Sequence, residues 1–216
     1  MALDESIFHL INEHWTNPAL DLFMAALSDL DIWQPVLSAV LIFILVFGGF
    51  KGRACVFCVL ITLLVAEQII GALKWAVDRH RPKQVESVRL VELQRSRPAL
   101  MTLFKKPVVR FSDASDRKRS GNSFPSGHMM DNTAVALCLM LCYRRGWLYW
   151  IVTALIGYSR VYLGAHWPSD IVATFFLAVG ETLLVLAGLE LAWRWAASKW
   201  APQLYLRHPR LLTELR

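Results

Sequence analysis

Residues 54–82, ACVFCVLITLLVAEQIIGALKWAVDRHRP, decide the architecture. The run from Ala54 to Val77 has the length and apolar content of a bilayer-crossing helix, which takes about 20 such residues. Lys74 stands near its end and Arg81-Pro82 just beyond it. Cations at the edge of an apolar span are costly, so they are functional suspects by default.

Working outward, four more stretches have the same character: Ile32–Phe50, Gly127–Tyr143, Trp147–Leu163 and Ile171–Trp195. The third and fourth spans in chain order are short and need tilt or a thinned bilayer. Residues 1–30 alternate apolar and polar positions at helical spacing. They read as an amphipathic segment at the interface, with a short sixth span as the alternative. The one long polar stretch, residues 82–124, carries Lys105, Lys106, Arg117, Lys118 and Arg119 and shows no clear secondary-structure signal. It reads either as a solvated connector or as a lid over an anionic head group. The expected fold is an all-α integral membrane bundle of five to six transmembrane helices, with an amphipathic N-terminal helix and this one long loop. The whole chain reads as a single domain.

Composition agrees. Of 216 residues 56% are hydrophobic, more than a soluble domain of this size carries. The net charge of +6 is better explained by loop topology and anionic lipids than by nucleic acid. Asp4 and Glu5 stand where a cleavable signal peptide has its basic region. Cys55, Cys58, Cys138 and Cys142 lie in apolar runs and read as buried, inert thiols despite the CxxC spacing. Trp15, Trp33, Trp147, Trp167, Trp193 and Trp200 fall near span ends, as an interfacial belt requires. Residues 1–50 contain no Lys or Arg, while the turns at Lys51/Arg53 and Arg144/Arg145 are basic. That asymmetry puts those turns in the cytoplasm and the long loop outside, in the plasma or inner membrane of a bacterium; the loop's own basic residues oppose this orientation.

Three charged segments then fall at one membrane surface. The second span ends at Lys74 and Arg81, the third opens with Ser123-Phe124-Pro125-Ser126-Gly127-His128, and the fourth ends at Ser159-Arg160, followed by His166 and Asp170. Lys74, Arg81 and Arg160 would repel one another unless an anion lay between them, and phosphate is the natural guest. Ser126 and Gly127 lead into a helix whose free N–H groups and positive dipole end favour the same anion. Two histidines divide the chemistry, one attacking phosphorus and the other protonating the leaving oxygen. Asp170, four residues after His166, is in reach to fix its tautomer if the link is helical, which makes His166 the nucleophile and His128 the acid.

Lys74-x6-Arg81-Pro82, Pro125-Ser126-Gly127-His128 and Ser159-Arg160-x5-His166-x3-Asp170 together resemble the three signatures of the type 2 phosphatidic acid phosphatase (PAP2) superfamily. The resemblance implies an all-helical membrane core and metal-free hydrolysis without a cofactor. It gives the same roles to His166, His128 and Asp170, with phosphate held by Lys74, Arg81, Ser126, Gly127 and Arg160. The substrates it offers are undecaprenyl diphosphate, lipid A phosphate, phosphatidylglycerol phosphate and phosphatidate. An outward-facing site favours the first two. The same residues would serve a lipid phosphotransferase; the spans argue against a soluble vanadate haloperoxidase, and two histidines with an aspartate against a lipid-binding scaffold.

Other polar residues read more plainly. Asp131 follows His128 by one turn, as a polar interface residue or as a charge that holds His128 protonated. Asp78 reads as an ion-pair partner of Lys74. Glu67 and Glu181 need structural partners within their spans, and His80 reads as an interface residue.

Overall fold

In the computed structural model the described residues are 2–119 and 121–212, without the side chains of Lys118 and Arg119, so those two members of the loop's basic run lie outside the described residues. The chain begins with α1 (Ala2–His9), a π-helical turn at Leu10–His14 and α2 (Pro18–Leu27). Asn17 caps α2 by accepting from Leu20 N–H at 2.9 Å, with Pro18 preset for the first turn. Then come α3 (Leu30–Phe47) and α4 (Gly49–Val77), folded back on each other through Gly48 and Gly49. Gly49 takes φ +60°, and a Cβ on Gly48 would lie 2.4 Å from the Ile44 carbonyl oxygen, so the tight turn requires glycine.

The long polar stretch is structured. It holds α5 (Pro82–Val85), β1 (Arg89–Glu92), a 3-10 turn at Ala99–Phe104, β2 (Val108–Phe111) and α6 (Ala114–Arg119). The strands pair antiparallel with Arg89 opposite Phe111 and Glu92 opposite Val108. This two-stranded hairpin corrects the all-α expectation. Its strands are four residues each, too short to leave a periodic signal.

After it come α7 (Gly127–Cys142), α8 (Tyr149–Tyr162), α9 (Pro168–Trp200) and α10 (Pro202–Arg207). Among the described residues three helices, α3, α4 and α9, are long and apolar enough to cross a bilayer. α7, of 16 residues, packs between α4 and α9, and α8, of 14 residues, packs against α7 and α2. Small buried residues allow the close approach of α4, α7 and α9, with Ala66, Ile70, Met130 and Ala178 in one cluster. All four cysteines are buried, and none forms a disulfide.

The N-terminal segment docks on the protein. Phe8, Ile11 and Met24 pack with Val88 and Leu90 of the hairpin, and with Val161, Tyr162 and Trp167. Buried Asn12 donates to the backbone oxygens of Tyr162 (2.7 Å) and Arg89 (3.0 Å) and accepts from Arg89 N–H at 3.1 Å. Asp21 accepts from Arg89 and from the Tyr162 hydroxyl, each at 2.6 Å. Trp167 is therefore no member of a lipid-facing belt; its indole N–H bonds the His80 carbonyl at 2.9 Å inside this cluster.

Candidate active site

The ends of α4 and α8 and the starts of α7 and α9 meet beneath the hairpin and the N-terminal segment. The link into α7 is tied to the end of α4: Ser123 N–H donates to Arg79 O at 2.6 Å, and Asn122 Nδ2 to Lys74 O at 2.5 Å. Arg81 Nε reaches back to Gly121 O at 2.8 Å. These bonds hold the first charged segment against the second.

Lys74, Arg81, Arg160, His128 and His166 form one electrostatic cluster. The charges of Arg160, Arg81 and Lys74 all bear on His128, and those of Arg160 and Arg81 bear on His166. Lys83, which the sequence reading did not single out, adds a cation; burial and the adjacent Arg81 charge pull its ammonium below the ordinary lysine value. Three buried polar atoms here have no hydrogen-bond partner, Arg160 Nε, Ser126 Oγ and His166 Nδ1. Buried polar groups are nearly always paired, so orphaned donors among cations are what an absent anionic ligand leaves behind. The Ser126 N–H is less available than expected, because Thr174 Oγ1 accepts it at 3.0 Å.

The two histidines are held differently. His128 Nε2 lies 3.1 Å from the carbonyl oxygen of Ser28, just past α2. A carbonyl can only accept, so Nε2 carries the proton and Nδ1 is left for chemistry. The Ser28 and Ser159 hydroxyls bond each other and fasten that carbonyl to α8. His166 is 3% exposed; burial first, then the charges of Arg160 and Arg81, pushes it well below the ordinary histidine value, which favours the neutral nucleophilic form.

The expected hydrogen bond between His166 and Asp170 is not made. Nδ1 stands 3.9 Å from Asp170 Oδ2 and has no hydrogen-bond partner. The link is not helical: Gly164 turns it through φ +70°, and α9 starts only at Pro168. Asp170 is the third residue of α9 and closes a capping box, its Oδ2 accepting from Trp167 N–H at 3.0 Å and from the Ser123 hydroxyl at 2.5 Å. Its Oδ1 accepts from Arg79 at 2.5 Å. Asp170 is thus a fixed carboxylate beside the ring, at ion-pair range.

Of the remaining polar residues, Asp131 has Glu67 and Lys74 as its electrostatic neighbours. Asp78 ends α4 in the left-handed region at φ 46°, its N–H bonded to Lys74 O. Glu181 accepts from the Thr182 hydroxyl at 3.1 Å. Arg79, Ser28 and Thr174 were not picked out by sequence; of these only Arg79, a further cation between Lys74 and Arg81, left a signal there.

The chain is similar to known proteins. The chain is 28% identical over 165 residues to a lipid A 4′-phosphatase of Bacteroides thetaiotaomicron, covering 73% of this chain and 64% of that one. An undecaprenyl-diphosphatase of Sulfolobus acidocaldarius is 40% identical over 62 residues, 28% of this chain and 30% of its own. The chain thus spans less than two thirds of either relative. The crystal structure of Aquifex aeolicus LpxE superposes with a TM-score of 0.61 at 24% identity, over 87% of this chain and 96% of that one. The PAP2 superfamily profile matches residues 55–195, a stretch that carries all three charged segments, and the chain belongs to that superfamily.

Proposed function

We propose that the protein is an integral membrane phosphatase that hydrolyses a lipid phosphate or diphosphate through a phosphohistidine on His166. The observation that carries this reading is the pair of orphaned donors, Arg160 Nε and Ser126 Oγ, in a cation cluster that also holds two histidines. In this mechanism His166 Nε2, the ring nitrogen away from Asp170, attacks phosphorus. The bond to the leaving oxygen breaks, and His128, which takes a second proton on Nδ1 when the bound phosphate's negative charge offsets the nearby cations, gives that proton to the oxygen and keeps the one on Nε2. Asp170 faces the imidazolium that forms. Water then attacks the phosphohistidine, its proton passes to His128 Nδ1, and phosphate leaves with His166 restored. Lys74, Arg81, Arg160, Ser126 and the N-terminal turn of α7 at Gly127 hold the phosphoryl oxygens.

The spans are α3, α4, α7, α8 and α9, in one membrane domain. The residues that carry the chemistry suffice without a metal ion. The site opens on the side of the hairpin, away from the basic turns, so it faces the periplasm or exterior. Similarity to a lipid A 4′-phosphatase and an undecaprenyl-diphosphatase supports those two substrate classes over phosphatidylglycerol phosphate and phosphatidate.

The test is phosphate release by detergent-purified protein, with chelator present, from undecaprenyl diphosphate, lipid A, phosphatidylglycerol phosphate and phosphatidate. Release that His166→Ala abolishes, and that chelator leaves unchanged, is the expected result. Turnover undiminished in His166→Ala removes the nucleophile assignment. Activity restored only by added metal removes the metal-free mechanism.

A further inference from the structure

We propose that Asp4 and Arg79 are positioning residues for the reaction, an N-terminal latch that holds Asp170 beside His166. The inference rests on the phosphohistidine reading above and concerns residues outside its three charged segments or, for Arg79, inside the first without a phosphate-binding role.

Arg79 spans two carboxylates. One terminal nitrogen donates to Asp170 Oδ1 at 2.5 Å and to the Ser169 hydroxyl at 2.9 Å; the other donates to Asp4 Oδ2 at 2.7 Å. Asp4 closes the ring, accepting from Ser169 N–H at 2.8 Å and from the Ser169 hydroxyl at 2.6 Å. The network thus joins the first helix of the chain, the residue after α4 and the first turn of α9. Burial alone would raise the Asp4 pKa, but the Ser169 bonds and Arg79 hold it below the usual carboxylate value, so Asp4 stays ionised at neutral pH.

The geometry assigns the latch a purpose that helix capping alone does not require. Asp170 is fully buried, and a buried carboxylate needs a paired cation to keep its charge. Arg79 is that cation, yet its side chain is a third exposed, and the Asp170 charge it holds also bears on Arg81 of the anion site. A guanidinium left mobile there would be drawn to a bound phosphate. Asp4 removes that option by holding the second arm of the guanidinium. Asp170 then keeps a fixed position and charge when its neighbour becomes an imidazolium. Because the phosphate ligands are untouched, loss of the latch should slow the chemical step and leave phosphate binding in place.

The experiment compares wild type with Asp4→Ala, Asp4→Glu and Arg79→Lys in the same detergent, measuring phosphate release from undecaprenyl diphosphate and from lipid A. Inhibition by orthovanadate, used as the phosphate probe, is measured alongside, together with thermal unfolding. Asp4→Ala and Arg79→Lys are expected to lower kcat by about tenfold, with KM and vanadate inhibition within about threefold of wild type. Asp4→Glu, which keeps the charge, is expected to recover a large part of kcat. The proposal is overturned if Asp4→Ala keeps kcat within about twofold, if KM or vanadate inhibition moves in step with kcat, or if the loss only tracks the unfolded fraction. A wild type that releases no phosphate from these two lipids, nor from phosphatidylglycerol phosphate or phosphatidate, overturns the phosphatase reading, and the latch with it; an active wild type with unmoved variants overturns the latch alone.

Discussion

His166 Nδ1 and Asp170 Oδ2 stand 3.9 Å apart, with the carboxylate oxygen already accepting from the Ser123 hydroxyl and Trp167 N–H. The pair is arranged for charge compensation more than for a standing hydrogen bond. In the proposed mechanism the ring is neutral before attack and gains little from the carboxylate; after attack it is an imidazolium beside a fixed anion. Interactions that strengthen only as the reaction proceeds are the ones that raise kcat.

Asp170→Asn should therefore cost far more in turnover than in substrate affinity. The amide keeps the shape and can still accept from Trp167 N–H, but it offers no charge to the imidazolium. A fall in kcat of about a hundredfold or more, with KM nearly constant, is expected from single-turnover phosphate release. Thermal stability should also fall, because the variant leaves Arg79 without its buried partner.

The acid side of the pH profile follows from His166. Its pKa is depressed by burial first and by Arg160 and Arg81 second, so the neutral nucleophile persists below the ordinary histidine value of 6.5. As pH falls through the depressed pKa, the ring gains a proton and attack stops. The acid limb of kcat/KM, which reports the free enzyme, should accordingly lie below pH 6.5. Arg81→Gln removes one of the repelling charges and should move that limb toward higher pH. A limb that stays in place in the variant would assign the depression to burial and Arg160 alone.

Thr174 was invisible in the sequence, an ordinary small residue on an apolar helix, yet its Oγ1 accepts the Ser126 N–H in a fully buried position. Thr174→Val keeps the volume and orphans that N–H. Leaving a buried donor unsatisfied costs about 1–3 kcal/mol, to be read from denaturant unfolding in detergent. Activity should fall as well, because Ser126 and Gly127 open the turn assigned to the phosphate.

What the sequence made legible and what it hid divide along a physical line. Lys74, Arg81, His128, Arg160 and His166 stood out because cations and histidines at the edge of apolar runs have few inexpensive structural explanations. Alternation of span direction then gathered them at one surface, as the fold does. Asp4, Asn12 and Ser28 had no such contrast: they sit in a polar, amphipathic segment where any side chain could face water. Their importance comes from partners 75 to 150 residues away, as with Asp4–Arg79 and Asn12–Tyr162, and pairing at that range leaves no local pattern. The His166–Asp170 spacing misled for a related reason. Four residues imply a hydrogen bond only on a continuous helix, and α9 begins at Pro168, two residues after His166.

Gly164 itself gives the last prediction. It takes φ +70°, where a side chain is strained by about 1–2 kcal/mol. Its missing Cβ also makes room for the hairpin: an added methyl would meet Val88 Cγ2 at 3.1 Å and the Arg89 carbonyl oxygen at 3.2 Å. The backbone atom cannot yield without disturbing β1, and β1 is bonded through Arg89 to Asn12 and Asp21 of the N-terminal segment. Gly164→Ala should therefore loosen the short link that carries His166 and the segment packed over it at once. A lowered unfolding midpoint is expected, with a loss of kcat larger than the same destabilisation produces at a site remote from the link. Leu186→Ala in α9, which opens a cavity in the buried cluster with Cys58 and Cys138, supplies that remote site. A loss of kcat no larger in Gly164→Ala than in Leu186→Ala at comparable destabilisation would show that the turn at Gly164 does not set the position of His166.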